Sequence, residues 1–189
     1  MKIMKNESIQ DYILKSERNL GVATAVGEAW PEARQKLVSS FLDRLESRLK
    51  KKLKNWKCGR YGQFFAESDT GFYLLKAAWE NQYSIGLQFR DHGEHMVIGV
   101  VREVPYIGKR QFCVELAEAF KKIHPSATTH QWWEARSPLR SPATDWRKPE
   151  VLWRMHTEKQ FLVEVAEQLL AVAKISEPII DKLVRKYRK

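Results

Sequence analysis

Tyr83-Ser-Ile-Gly-Leu-Gln-Phe-Arg90 is the stretch that decides how this chain folds. Tyr83, Ile85, Leu87 and Phe89 alternate with Ser84, Gly86, Gln88 and Arg90. A period of two built from aromatic and branched side chains is the pattern of a half-buried strand. Downstream, Asp91-His-Gly-Glu94 reads as a turn and residues 95–102 as the next strand. With those four residues as the loop, Arg90 opposes His95, Phe89 opposes Met96, Leu87 opposes Ile98 and Ile85 opposes Val100, which makes one continuous apolar face. A slip of one residue would send the two apolar sets to opposite faces. The same register sets Gly86 across from Gly99. Mid-strand glycine is unfavourable, so a facing pair calls for something bulky above it. An aromatic ring from Trp132, Trp133 or Trp146 is expected there, with a resting ligand as the alternative.

Working outward, residues 72–79 are apolar on nearly both faces and read as a central strand. Turn residues Ser68-Asp-Thr-Gly71 precede them, and residues 61–67 read as the strand before. Tyr106-Ile-Gly108 is expected to close the sheet. On the N-terminal side, Leu37, Phe41, Leu45, Leu49 and Leu53 recur every four residues, joined by Val38, Leu42 and Trp56, and predict an amphipathic helix over 31–54 with Pro31 in its first turn. Strict fours drift around a 3.6-residue helix, so this one must cross its partner obliquely. Ile9, Tyr12, Ile13 and Leu20 offer only a short stripe before it, weakened by Gly21 and Gly27.

On the C-terminal side, Phe112, Leu116, Phe120 and Ile123 predict a short helix over 111–123, stopped by His124-Pro125. Residues 126–148 read as a long irregular segment, rich in tryptophan, with a strand at 130–134. Helices follow at 150–156, 157–173 and 177–187, the last opened by Ser176-Glu-Pro178. The expected fold is therefore α+β: an antiparallel meander of four to five strands, covered mainly on one face by amphipathic helices. Residues 1–30 form a helical appendage or partner-binding arm, and residues 31–189 a single domain.

At 189 residues the chain is long enough to bury a core without staples. Its charged fraction of 30% and apolar fraction of 43% are those of a globular protein. Cys58 and Cys113 lie far apart without a CxxC spacing, which argues against a disulfide framework or structural zinc. Met1-Lys-Ile-Met-Lys-Asn-Glu7 has no apolar core of a secretory signal, and no run reaches the ~18 apolar residues of a membrane span. A cytoplasmic protein with no membrane contact is expected.

The net charge is +10, from 33 Lys and Arg against 23 Asp and Glu. Such an excess favours phosphates, nucleic acid above all, or an acidic protein partner; a merely soluble basic surface is the plainer reading. The densest run is Arg48, Lys50, Lys51, Lys52, Lys54, Lys57 and Arg60, at the end of the long helix and just beyond it. Cations there complement the helix dipole, but that effect fades within the last turn, so the run exceeds what the dipole requires. It is the candidate DNA- or RNA-binding ridge, with a second basic end at Lys182, Arg185, Lys186, Arg188 and Lys189. Trp132, Trp133 and Trp146, with Arg136, Arg140 and Arg147 nearby, either anchor their segment on the core or stack bases.

Catalytic patterns are missing. The glycines do not form a phosphate loop, and no Gly-x-Ser-x-Gly elbow occurs. His92 and His95 flank Glu94, a weak metal pattern that no second element completes. Strands 72–79, 83–90 and 95–102 carry no interior carboxylate to hold the ions of a two-metal nuclease. Neither a metal, a cofactor nor a catalytic residue is expected.

The order of features runs from the basic helix through GFYLLKAAWENQYSIGLQF (71–89), HMVIGVV (95–101), the tryptophan pair 132–133 and DWRKPEVLWRM (145–155) to EPIIDKL (177–183). Over residues 35–187 this resembles the C-terminal accessory region of bacterial and phage PD-(D/E)XK nuclease-like proteins. The strand ending at Trp79 and the segment at Asp145-Trp146 are its most specific parts. The nuclease motif is not among the residues, so no catalytic position carries over. The resemblance implies a stand-alone accessory domain of a phage or antiphage-defence system. Three readings stay open: a non-catalytic nucleic-acid-binding protein, a protein–protein module such as an inhibitor or subunit of a defence complex, and a divergent nuclease.

Overall fold

The computed structural model describes residues 6–79, 82–102, 113–140 and 143–187. The chain divides into two compact units, residues 1–36 and 37–189. The first contains helix α1 (Asn6–Leu14) and the opening of helix α2 (Glu17–Lys50). The Ser16 hydroxyl accepts the Asn19 N–H at 3.1 Å and caps α2. Helix α2 starts well before residue 31 and runs through Gly21, Gly27 and Pro31 without a break. The cap and the intervening helix-forming residues outweigh the two glycines, each worth only about 1 kcal/mol.

The second unit is α+β. Its strands are β1 (Trp56–Tyr61), β2 (Thr70–Lys76), β3 (Tyr83–Arg90), β4 (His95–Arg102), β5 (Thr128–His130) and β6 (Trp133–Pro138). They form one antiparallel sheet of order β1-β2-β3-β4-β6-β5. The β3–β4 register pairs Ile85 with Val100, Leu87 with Ile98, Phe89 with Met96 and Arg90 with His95, as the alternation requires. Gly86 does face Gly99.

Six strands are present where four to five were expected, because the tryptophan-rich segment supplies two strands, 128–130 and 133–138, where one at 130–134 was expected. The first strand also lies earlier than 61–67. Asn55 (φ 66°) and Gly62 (φ 69°) bracket it with left-handed turns. Residues 63–67 coil instead, with the Gln63 N–H bonded to Glu67 at 2.8 Å, and drop Phe64 onto Phe89 at 4.5 Å between centroids. Strand β2 stops at Lys76, and Ala77–Trp79 tighten into a 3-10 turn.

Helices α3 (Val114–Ile123), α4 (Pro149–Thr157) and α5 (Lys159–Tyr187), with the C-terminal part of α2, cover one face of the sheet. Phe72, Leu74, Ile85, Leu87, Phe89, Met96, Ile98 and Val100 are buried there, against Phe41, Leu45, Trp146, Phe161, Val165 and Leu169. Helix α5 continues through Pro178, where two helices were expected. Ile179, Ile180 and Val184 stay buried beyond it, and Lys76 bonds Glu177 (2.8 Å) and Asp181 (2.7 Å). Those contacts hold straight a helix that proline alone would break.

No helix among the described residues is long and apolar enough to cross a membrane. The expected close of the sheet at Tyr106 and Gly108, the helix residue Phe112, and Arg188 and Lys189 lie outside the described residues.

Candidate nucleic-acid interface

The basic run occupies the last turn of α2, the turn after it, and edge strand β1. Its members differ in what they already hold. Arg60 points back to α2, bonding Asp43 at 2.6 Å and approaching Glu46 at 3.7 Å. Lys50 pairs with Glu46 at 2.6 Å, and that hydrogen bond lifts its ammonium above the ordinary value. Arg48 is half-buried. Lys51, Lys52, Lys54 and Lys57 are exposed and have no carboxylate partner among the described residues. These four are the available charge of the ridge.

Lys57 has a second position of interest. In β1, Trp56 is buried and Arg60 reaches α2, so the alternation turns Lys57, Gly59 and Tyr61 to the opposite face of the sheet. That face's buried apolar side chains among the described residues include Val97 and Trp133, which lie outside the main core cluster. Its rows across the strands read Gly59, Tyr73, Gly86, Gly99, Arg136 and, beside it, Tyr61, Gly71, Gln88, Val97, Pro138. Rings lie over the glycines. A Cβ on Gly59 would meet the Tyr73 ring at 2.3 Å, and one on Gly71 would meet the Tyr61 ring at 2.6 Å. Above Gly86 and Gly99 stands Trp133, with Val101 alongside.

The three tryptophans thus have separate places. Trp146 is core: its ring meets Phe89 at 4.6 Å and Phe41 at 5.3 Å, and its indole N–H bonds the Ala143 carbonyl at 3.0 Å. Trp133, 4% exposed, is the lid over the facing glycines. Trp132, 41% exposed, stands at the tip of the β5–β6 hairpin. Its carbonyl accepts the Arg102 N–H at 2.9 Å, which fixes its backbone to the end of β4.

Two recesses adjoin on this side of the sheet. One, of about 310 Å³, is lined by residues including Tyr61, Gln88, His130 and Trp132. The other, of about 450 Å³, is lined by residues including His95, Ser126, Thr128 and Thr144. Arg90 and Arg136 line both. Burial and the Arg90 charge hold Arg136 below its usual value, and burial with both arginines does the same to His130. Arg90 has Asp69 only at 3.9 Å, and Arg136 has no carboxylate partner among the described residues.

Elsewhere, Glu94 is engaged by Arg147 at 3.0 Å and His95 by Asp91 at 3.0 Å, so the polar turn is spent on its own contacts. Among the described residues no three His, Cys, Asp or Glu side chains converge as a metal site would require. In the second basic end, Arg185 bonds the Asp181 carbonyl at 3.0 Å and Lys182 lies 3.7 Å from Glu115. The extension of the facing Gly86 and Gly99 to Gly59 and Gly71, and the Arg90–Arg136 pair, were not anticipated. Gly59 and Gly71 join the pattern only once β1 is placed at 56–61, and Arg136 sits in a strand that reads as loop. No protein-family model, curated protein or solved structure matches this chain.

Proposed function

We propose that this is a non-catalytic nucleic-acid-binding protein whose primary contact is the ridge at the end of α2. One observation carries the reading: Lys51, Lys52, Lys54 and Lys57 crowd one junction without carboxylates, although Glu46 and Asp43 neutralise their neighbours Lys50 and Arg60. Like charges gathered without internal partners repel one another, and a polyanion relieves that repulsion while releasing its own counterions. The resemblance to an accessory region of nuclease-like proteins is in keeping with such a role, in the cytoplasm, beside phage or antiphage machinery. The test is binding of a labelled DNA duplex and a labelled RNA of equal length at two salt concentrations. Four phosphate contacts give a slope of log K against log salt of roughly −3 to −4. The quadruple variant K51E/K52E/K54E/K57E is expected to lose binding. Affinity independent of salt, or unchanged in that variant, would overturn the proposal.

A second reading is favoured by a different observation. Ile9, Tyr12, Leu14, Leu20, Val22, Val26 and Trp30 are all exposed in the N-terminal unit. Apolar side chains in this number suit a protein-docking arm, binding through which is insensitive to salt.

A further inference from the structure

The face of the sheet opposite α3, α4 and α5 is built unlike an ordinary solvent face. Solvent faces of antiparallel sheets alternate polar side chains outward. Here glycines at 59, 71, 86 and 99 leave hollows, and Tyr73, Tyr61 and Trp133 fill them with rings. The outcome is a low surface with aromatic character, bordered by Trp132 and His130 at one end and crossed by Arg90 and Arg136. Helices and hairpins that enter duplex grooves protrude, whereas this surface is recessed. Unstacked bases need aromatic faces, and a strand's phosphates need cations spaced along it. Both lie on this face, and Lys57 connects it with the ridge.

We infer that this face seats an unpaired stretch of nucleic acid, with a base stacked on Trp132 in the recess that Tyr61 also lines and the flanking phosphates held by Arg90 and Arg136. The inference rests on the nucleic-acid reading above and adds the kind of strand. Trp133 is floor rather than stacking partner, because it is already closed over Gly86 and Gly99. Each recess is small, at the lower end of the roughly 300–1,000 Å³ of ligand sites, a size for one base at a time rather than a duplex end.

The experiment uses the full chain with fluorescein-labelled 12-mers of single-stranded DNA, single-stranded RNA and the matching DNA duplex. Single strands are expected to bind more tightly than the duplex and to quench tryptophan fluorescence. Trp132→Ala and, separately, Arg136→Gln should each lower single-strand affinity about tenfold, within the range that base stacking supplies. Trp132 is exposed and Arg136→Gln keeps most of the side chain, so circular dichroism of both variants should match the parent. Equal affinity for single strand and duplex, with neither variant altering it while the ridge variant abolishes it, would overturn this inference and leave the proposed function standing. Absence of binding to all three probes would remove both.

Discussion

The backbone of Gly99 approaches that of Ala135 so closely that a Cβ on Gly99 would stand 2.2 Å from the Ala135 carbonyl oxygen. The Arg136 Cα would lie 2.8 Å away on the same side. Neither atom can move without shifting β6. At Gly86 the nearest atom is instead a Val101 methyl at 2.7 Å, then the Trp133 ring at 3.2 Å, and side chains can turn. Gly99→Ala is therefore expected to cost more than Gly86→Ala, with the first at or above the usual overpacking penalty of about 1–3 kcal/mol. Urea unfolding of the two variants checks the order; a milder Gly99→Ala would mean that β4 and β6 are not packed this closely.

Asp181 joins the end of β2 to the last helix. It accepts the Trp79 indole N–H at 2.8 Å and the Lys76 ammonium at 2.7 Å. Burial alone would raise its pKa, but these donors outweigh burial and hold it below the ordinary 3.8. A carboxyl with a depressed folded value adds stability that is complete above its unfolded value and is lost as pH falls through the folded one. Asp181→Asn should destabilise by about 1–2 kcal/mol at neutral pH, a figure reduced for the 26% exposure of the side chain. The gap in melting temperature between parent and variant should close as pH drops below 3.8. A gap that persists in acid would show that the carboxylate's charge is not what ties Lys76 to α5.

The central hairpin was legible because two signals agreed. Alternation over 83–90 and 95–102 and a four-residue polar turn admit one register with a continuous apolar face. The facing glycines then demanded a lid, and Trp133 supplies it. The edges of the sheet were harder to read. Strand β1 carries Lys57, Gly59 and Arg60, none of which favours a strand, and it is held by pairing to β2 rather than by its own composition. Strand β6 alternates poorly because a bulge between Val100 and Val101 shifts its register and leaves Glu134 buried beside Trp133. Helix α5 survives Pro178 because of contacts from Lys76 and Trp79, a hundred residues distant, that no local window contains. The ridge could be read from charge density. Which of its cations are neutralised depends on Asp43 and Glu46 lying opposite Arg60, and that is a matter of tertiary position.

The Cys58 thiol, on the packed side of β1, is pushed up to about 11 by burial first and by Glu46 second, against the opposing pull of Lys50 and Arg60. A thiol at that value is almost wholly protonated at pH 8 and a poor nucleophile. Alkylation of Cys58 by iodoacetamide should be slow at pH 8 in the folded protein, accelerate toward pH 11, and become fast in urea. Because the folded value is the raised one, the contribution to stability is complete below the unfolded value of 9.0 and declines as pH rises from there. Cys58→Val should flatten that decline. Mass spectrometry of timed alkylation decides the first point, and labelling at the rate of a free thiol would place Cys58 in solvent.

The bulge that displaces β6 also creates the most enclosed ion pair of the fold among the described residues. Arg102 Nε lies 3.1 Å from Glu134 Oε1 as an ion pair, with the two side chains 2% and 4% exposed. The second carboxylate oxygen, Oε2, accepts the Cys113 N–H at 3.0 Å, at the cap position of α3, so one side chain ties β4, β6 and α3 together. Two buried charges cost several kcal/mol each in desolvation, which their attraction offsets only when the geometry is good. Removing one partner leaves the other's desolvation cost uncompensated. Glu134→Ala should therefore cost about 3–5 kcal/mol, whereas Arg102→Met with Glu134→Leu should recover much of that loss. The two changes are close in space and cannot be additive. Urea unfolding of Arg102→Met, of Glu134→Leu and of the variant carrying both gives the coupling directly. If the double variant is as unstable as the sum of the singles, the pair contributes little through its charges, and the Glu134 bond to the head of α3 is the interaction that matters.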